Sequence, residues 1–175
     1  MTDVKQIISA NNKKLLREYN VNIETQPNQP ADRKCNCRKK IECPLNGNCL
    51  QKSIIYQATV ISKDSNTQET YIGLTDGEFK TRLRNHTASF RNQNLKNSTE
   101  LSKYIWTLKA NNIDFNISWK IISRAKSYSS ETKRCNLCLR EKFFIICKPH
   151  LCSLNRRNEL ISTSRHRKKS LLKFN

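Results

Sequence analysis

Eight cysteines fall in two short groups, Cys35, Cys37, Cys43 and Cys49, then Cys135, Cys138, Cys147 and Cys152, and the whole middle of the chain has none. The grouping frames a cysteine-free core with thiol-rich borders. Residues Met1 to Asn12 hold no long apolar run of the secretory kind, so the expected location is inside the cell. Thiols there stay reduced, which favours metal ligands or buried thiols over disulfides. In the first group the ligands are separated by one, five and five residues, and Pro44 and Gly47 supply turns that can gather four thiolates around a tetrahedral zinc. Unliganded thiols are the competing reading. In the second group Cys135 and Cys138 have the common two-residue gap, with His150, Cys152 and His166 chemically eligible to complete a site. Cys147 and Cys152 can equally be buried thiols that pack as small apolar groups.

Four segments follow from this framing: 1–34 as an N-terminal helix and linker, 35–52 as the cysteine-rich element, 53–160 as the core, and 161–175 as a basic tail. Val4, Ile7, Ile8, Leu15 and Leu16 predict a short amphipathic helix over 4–19, and Pro27 and Pro30 mark the linker. In the core, the β-branched run 53–62 predicts a strand, 63–68 a turn, and 69–75 a paired antiparallel strand. Asp76 is the expected cap of a helix bearing Phe79, Leu83 and Phe90 on one face. Leu101, Tyr104, Ile105 and Leu108 predict a second helix capped by Ser98 or Thr99. Alternation of Phe115, Ile117, Trp119 and Ile121 predicts a third strand, and a third helix is expected from about Arg134 to Cys147. The fold class is α+β, a small three-stranded antiparallel sheet flanked by helices.

A formal net charge of +19, from 33 Lys and Arg against 14 Asp and Glu, creates a field that favours a polyanion. DNA or RNA leads; acidic proteins and anionic membrane surfaces are the alternatives. No apolar stretch approaches the ~20 residues needed to span a bilayer. Lys80, Arg84 and Arg91 lie off the apolar face of the first core helix, and Arg156, Arg157, Arg165, Arg167, Lys168 and Lys169 crowd the C-terminal region. All nine are candidate phosphate contacts.

Glu141 is the most unusual polar residue, because helical spacing puts it on one face with Leu137, Cys138, Phe144 and Ile145. A carboxylate among apolar neighbours needs a cation, a donor or a metal. A neighbouring Lys or Arg would satisfy it as well as a metal ion would. Arg82 and His86, at i and i+4, project from one side of their helix toward the strand carrying Tyr71. Their plain reading is a histidine at the surface or filling the core, and an arginine meeting solvent or backbone phosphate.

Taken in order, Ile54-Ile55-Tyr56, Tyr71-Ile72-Gly73, Phe79-Lys80-Thr81-Arg82, His86, Glu141 and Asn155 resemble the signature of the GIY-YIG endonucleases over roughly residues 53–160. Ile54 stands where that signature begins with glycine. Ser98 to Trp106 and Leu154 to Leu160 are similar to the nuclease domains of Penelope-like and related retroelements, which add cysteine motifs and a basic tail. Ser164 stands where those relatives carry a cysteine, leaving His150 or Cys152 to complete a second zinc site.

The resemblance implies a metal-dependent DNA endonuclease acting in the nucleus, whose nick would prime reverse transcription. Its partners would be DNA and a reverse transcriptase or element RNA. Glu141 would hold one Mg²⁺ or Mn²⁺. Tyr71 would be the general base, helped by cations or His86 because a free phenol has a pKa of ~10. Arg82 would stabilise charge on the phosphate, and Tyr56 and Asn155 would orient water, phosphate or carboxylate. One or two structural Zn²⁺ ions would sit in the cysteine groups. The competing class is a non-catalytic zinc-containing nucleic-acid-binding protein on the same scaffold.

Overall fold

The computed structural model describes residues 34–132 and 134–155. The chain divides into Met1–Asp32 and Arg33–Asn175, and every described residue belongs to the second unit. The expected N-terminal helix and linker lie outside the described residues, as do Arg156, Arg157, Arg165, His166, Arg167, Lys168 and Lys169.

Three strands form the sheet: β1 (Ile54–Ser62), β2 (Gln68–Thr75) and β3 (Phe115–Arg124). Three helices accompany them: α1 (Phe79–Arg91), α2 (Glu100–Ala110) and α3 (Asn136–Cys147). The strand order is β2-β1-β3, with both pairings antiparallel. Opposite Tyr56 stand Gly73 on β2 and Ile121 on β3; opposite Ala58 stand Tyr71 and Trp119. Side chains alternate between faces, so this register puts Tyr56, Tyr71 and Trp119 on one face of the sheet.

That face is the main core. Ile54, Tyr56, Ala58 and Val60 of β1 meet Phe79 of α1 and Leu101, Ile105 and Leu108 of α2, with Ile117, Trp119 and Ile121 packed alongside. Burying such aliphatic and aromatic side chains contributes about 1.5–3 kcal/mol each. Ile54 is fully buried here, so the strand accommodates the larger residue within the core. Residues of the opposite face, Ile55, Gln57, Ile72 and Leu74, are buried too, and α3 packs against β1 and β2. Helices therefore cover both faces, and β1 is buried almost along its length.

One expected boundary is corrected. Asp76 does not cap α1: its carboxylate accepts from the adjacent Gly77 amide at 3.0 Å, and the N-cap is Glu78, whose side chain makes no capping bond. The third helix runs Asn136–Cys147, close to the expected span, with Cys135 as its cap, the Cys135 sulfur accepting from the Cys138 amide at 3.3 Å. Thr99 caps α2 as expected, accepting from the Ser102 amide at 3.0 Å.

The open edge of β2 is closed by the segment after α3. The Thr70 amide donates to Ser153 Oγ at 2.8 Å, and the Leu154 amide donates to the Thr70 carbonyl at 2.9 Å. Asn155 completes the row: its Oδ1 accepts from the Ile72 amide at 2.7 Å and its Nδ2 donates to the Ile72 carbonyl at 2.9 Å. One side-chain amide thus does the work of a neighbouring strand and leaves no bare edge at that point.

Candidate active site and cysteine centre

The polar site grows from the middle of the β1/β2 pair. Tyr56 is fully buried, and its hydroxyl reaches His86 Nε2 at 2.8 Å and accepts from Arg82 Nε at 2.9 Å. This close packing depends on Gly73 across the strand pair. A Cβ there would stand 2.5 Å from the Tyr56 hydroxyl oxygen and 2.7 Å from the ring carbon bearing it. The signature's Tyr71-Ile72-Gly73 therefore has a steric reason: the glycine leaves room for the phenol opposite.

His86 is buried in the core. Its ring stacks on Phe90 with centroids 6.0 Å apart and lies 5.4 Å from Trp119, 5.9 Å from Tyr56 and 6.1 Å from Tyr71. Four aromatic rings fix the imidazole. Phe90 follows His86 by four residues on the same helix, so that contact is local, whereas the contact of Trp119 with His86 depends on how α1 lies over β3.

Arg82 is half-buried beside these groups. Burial alone would lower its pKa, but the charges of Tyr56, Tyr71 and Glu141 and the Tyr56 hydrogen bond outweigh that and push it above its ordinary value. Glu141 is half-buried on α3, and its charge is the weakest of those that raise Arg82. Tyr56, Tyr71, Arg82 and His86 are thus gathered at one place. Asn155 is next to Tyr71 in space but gives its amide to the backbone of Ile72, so it holds the strand. Beside Arg82 lies an open cleft of about 310 Å³, lined also by Thr75, Asp76, Thr81 and Asn85.

Among the basic candidates, Arg84 and Arg91 on α1 are exposed. The Lys80 ammonium donates to Asn36 Oδ1 at 2.7 Å.

The first cysteine group forms a real cluster. The sulfurs of Cys35, Cys37, Cys43 and Cys49 all lie within 4.8 Å of one another, and Cys49 Sγ is 3.6 Å from both Cys35 and Cys37. Thiolates on one zinc at ~2.3 Å stand about 3.8 Å apart in a tetrahedron, whereas a disulfide requires ~2.05 Å. These four residues can hold a metal ion, and the spacing suits structural zinc. Turns at Asn46 and Gly47, with φ of 49° and 86°, fold the loop back, and buried Leu45 anchors it in the main core.

The clustered thiols differ in how their surroundings treat ionisation. Burial would raise the Cys43 thiol, but the Leu45 and Gly47 amides, with the Cys35 thiol and the Cys49 amide, outweigh it and bring it down to about 6. Cys49 is pushed up to about 12 by burial, opposed by the Asn36 amide and reinforced by its three sulfur neighbours. Four adjacent thiolates repel one another, and a bound cation is what allows them all to ionise.

No comparable cluster forms around the second group among the described residues. Cys135 and Cys138 lie with sulfurs 3.0 Å apart, but exposed His150 does not join them, which corrects that part of the expected ligand set. His166 lies outside the described residues. Cys152 is buried, with its thiol donating toward the carbonyls of Phe144 and Ile145 at 3.8 and 3.6 Å, so it serves the end of α3. Among the described residues no helix is long and apolar enough to cross a membrane.

No family model matches the chain, and no curated protein or solved structure is similar enough to count as a match.

Proposed function

We propose that the protein is a metal-dependent DNA endonuclease of the GIY-YIG kind, related to those of Penelope-like retroelements. The supporting observation is the meeting of two phenols, an imidazole and an arginine, with the Glu141 carboxylate acting on that arginine. The net charge of +19 supplies the attraction for a polyanionic substrate.

Glu141 fits the role of holding one Mg²⁺ or Mn²⁺. Such ions accept a single protein carboxylate and fill their remaining positions with water and phosphate oxygens. When bound, the ion supplies positive charge at the scissile phosphate and the leaving oxygen.

The protein's own groups do the rest. Arg82, held by Tyr56, presents a fixed cation to the phosphate, where the extra negative charge of the transition state develops. Tyr71 keeps slight exposure at 7% while Tyr56 has none, so Tyr71 is the phenol able to meet a water. Its attraction to Arg82 is mutual, so the guanidinium favours negative charge on the Tyr71 oxygen. Tyr71, as the phenolate, takes a proton from the attacking water as the water oxygen bonds to phosphorus; the P–O3′ bond breaks, and the departing O3′ takes a proton from solvent to become the 3′-hydroxyl, the end a reverse transcriptase would extend. Tyr56 and His86 position Arg82, and Asn155 holds the strand that carries Tyr71.

The test is nicking of supercoiled plasmid with Mg²⁺ by the wild type, Arg82→Ala and Glu141→Ala. The reading expects cleavage by the wild type alone, with all three proteins folded. Equal cleavage by the variants would overturn it.

A further inference from the structure

The start of α1 is built unusually. A helix leaves its first amides without intrahelical partners, and the N-cap Glu78 provides no side-chain bond. The Thr81 and Arg82 amides turn to the Glu78 carbonyl at 3.2 and 3.3 Å. The Phe79 amide donates instead to the Gln51 carbonyl at 3.1 Å, and the Lys80 amide to the carbonyl of Cys49 at 2.8 Å. A third tie comes from the Lys80 ammonium to Asn36, which lies between Cys35 and Cys37.

We propose that the cysteine loop, held in shape by its metal ion, is the cap of α1 and thereby sets the position of Arg82 and His86. Cys49 is the hinge of the connection: its sulfur belongs to the cluster while its carbonyl receives the helix. Releasing the ion removes the tether that holds the four sulfurs together, and the Cys49 carbonyl and Asn36 are then free to move away from the helix. The first turn of α1 then loses its acceptors, and Arg82 sits two residues beyond Lys80. Lys80 is accordingly a positioning residue, and the metal has a role in activity without approaching DNA. The catalytic part of this inference rests on the nuclease reading; the mechanical part does not.

The experiment uses the full chain loaded with zinc. Amide hydrogen exchange is followed at Phe79 and Lys80 before and after zinc is withdrawn by a chelator. Withdrawal is expected to speed exchange at both by tenfold or more while β1 amides hold; equal rates would overturn the proposal.

Lys80→Met provides a second arm that keeps all four cysteines. Coupling between sites is reciprocal, so this variant should bind zinc about three- to tenfold more weakly, the loss expected for one hydrogen bond, and Lys80→Arg should recover most of it. Unchanged zinc affinity in Lys80→Met contradicts the link.

Plasmid nicking adds a distinguishing readout. A lower kcat with unchanged KM in Lys80→Met supports positioning. A higher KM with a shallower salt dependence and unchanged kcat would make Lys80 a phosphate contact, and would overturn it. If the wild type does not nick at all, the nuclease reading fails, while exchange and zinc affinity still decide whether the loop caps the helix.

Discussion

Replacing Gly73 by alanine adds one methyl group at the point where the β1/β2 pair is tightest. The new carbon would lie 2.5 Å from the Tyr56 hydroxyl oxygen and 2.7 Å from its ring carbon, well inside contact distance. Tyr56 cannot easily retreat, because it is fully buried and its hydroxyl is fixed between Arg82 at 2.9 Å and His86 at 2.8 Å. Overpacking of this kind costs about 1–3 kcal/mol, which lowers Tm by roughly 5–15 °C in a domain of this size. Relief of the clash pushes the phenol off Arg82, so DNA cleavage should fall more steeply than stability. A Tyr56→Phe background tests the cause. That change alone should cost about 1–3 kcal/mol, since it strips partners from two polar groups, but its ring is free to pivot, so adding Gly73→Ala should cost about 1 kcal/mol less than in the wild type. Thermal unfolding of the four proteins by circular dichroism, with nicking rates alongside, gives the cycle. A Gly73→Ala protein with wild-type Tm and rate would refute the steric argument.

Four further outcomes follow from other contacts in the fold. Asn155→Ala exposes the edge of β2 at Ile72 and should lower stability by about 1–3 kcal/mol in urea unfolding, whereas a neutral effect would mean the two amide bonds contribute nothing net. Elemental analysis should find a bound zinc lost in Cys43→Ser but retained in Cys147→Ser, because Cys147 is exposed and outside the cluster. Chelating that ion should lower the Tm of the wild type and leave Cys43→Ser unmoved. Leu45→Ala, which detaches the loop from the core, should destabilise by about 2–5 kcal/mol and weaken zinc binding as well.

Local pattern explains why much of the fold was readable. The β-branched run at Ile54 to Ile61, the polar turn after it and the return through Tyr71 specify a hairpin through near neighbours in sequence, as does the stripe from Leu101 to Leu108 with Thr99 before it. Partners distant along the chain were less readable. Asp76 looked like a cap because it precedes the helix, yet the acceptors that replace it come from Cys49 and Gln51. Lys80 looked solvent-facing by periodicity, but periodicity does not show that the cysteine loop lies over that turn of α1. His86 falls on the stripe of Phe79, Leu83 and Phe90, which marks it for burial, but the rest of its aromatic surround comes from β1, β2 and β3. Glu141 stood out from local pattern alone, since a carboxylate on an apolar stripe needs a cation, a donor or a metal whatever the fold.

The central claim is that Glu141 brings a divalent ion to the Arg82 site, and single-turnover nicking across a Mg²⁺ titration measures it most directly. Wild-type protein should show a saturable dependence on Mg²⁺, and Glu141→Gln, matched for shape, should lose at least 10² in rate at every concentration while still binding DNA. Cleavage by Glu141→Gln with the wild-type rate and Mg²⁺ dependence would contradict the account.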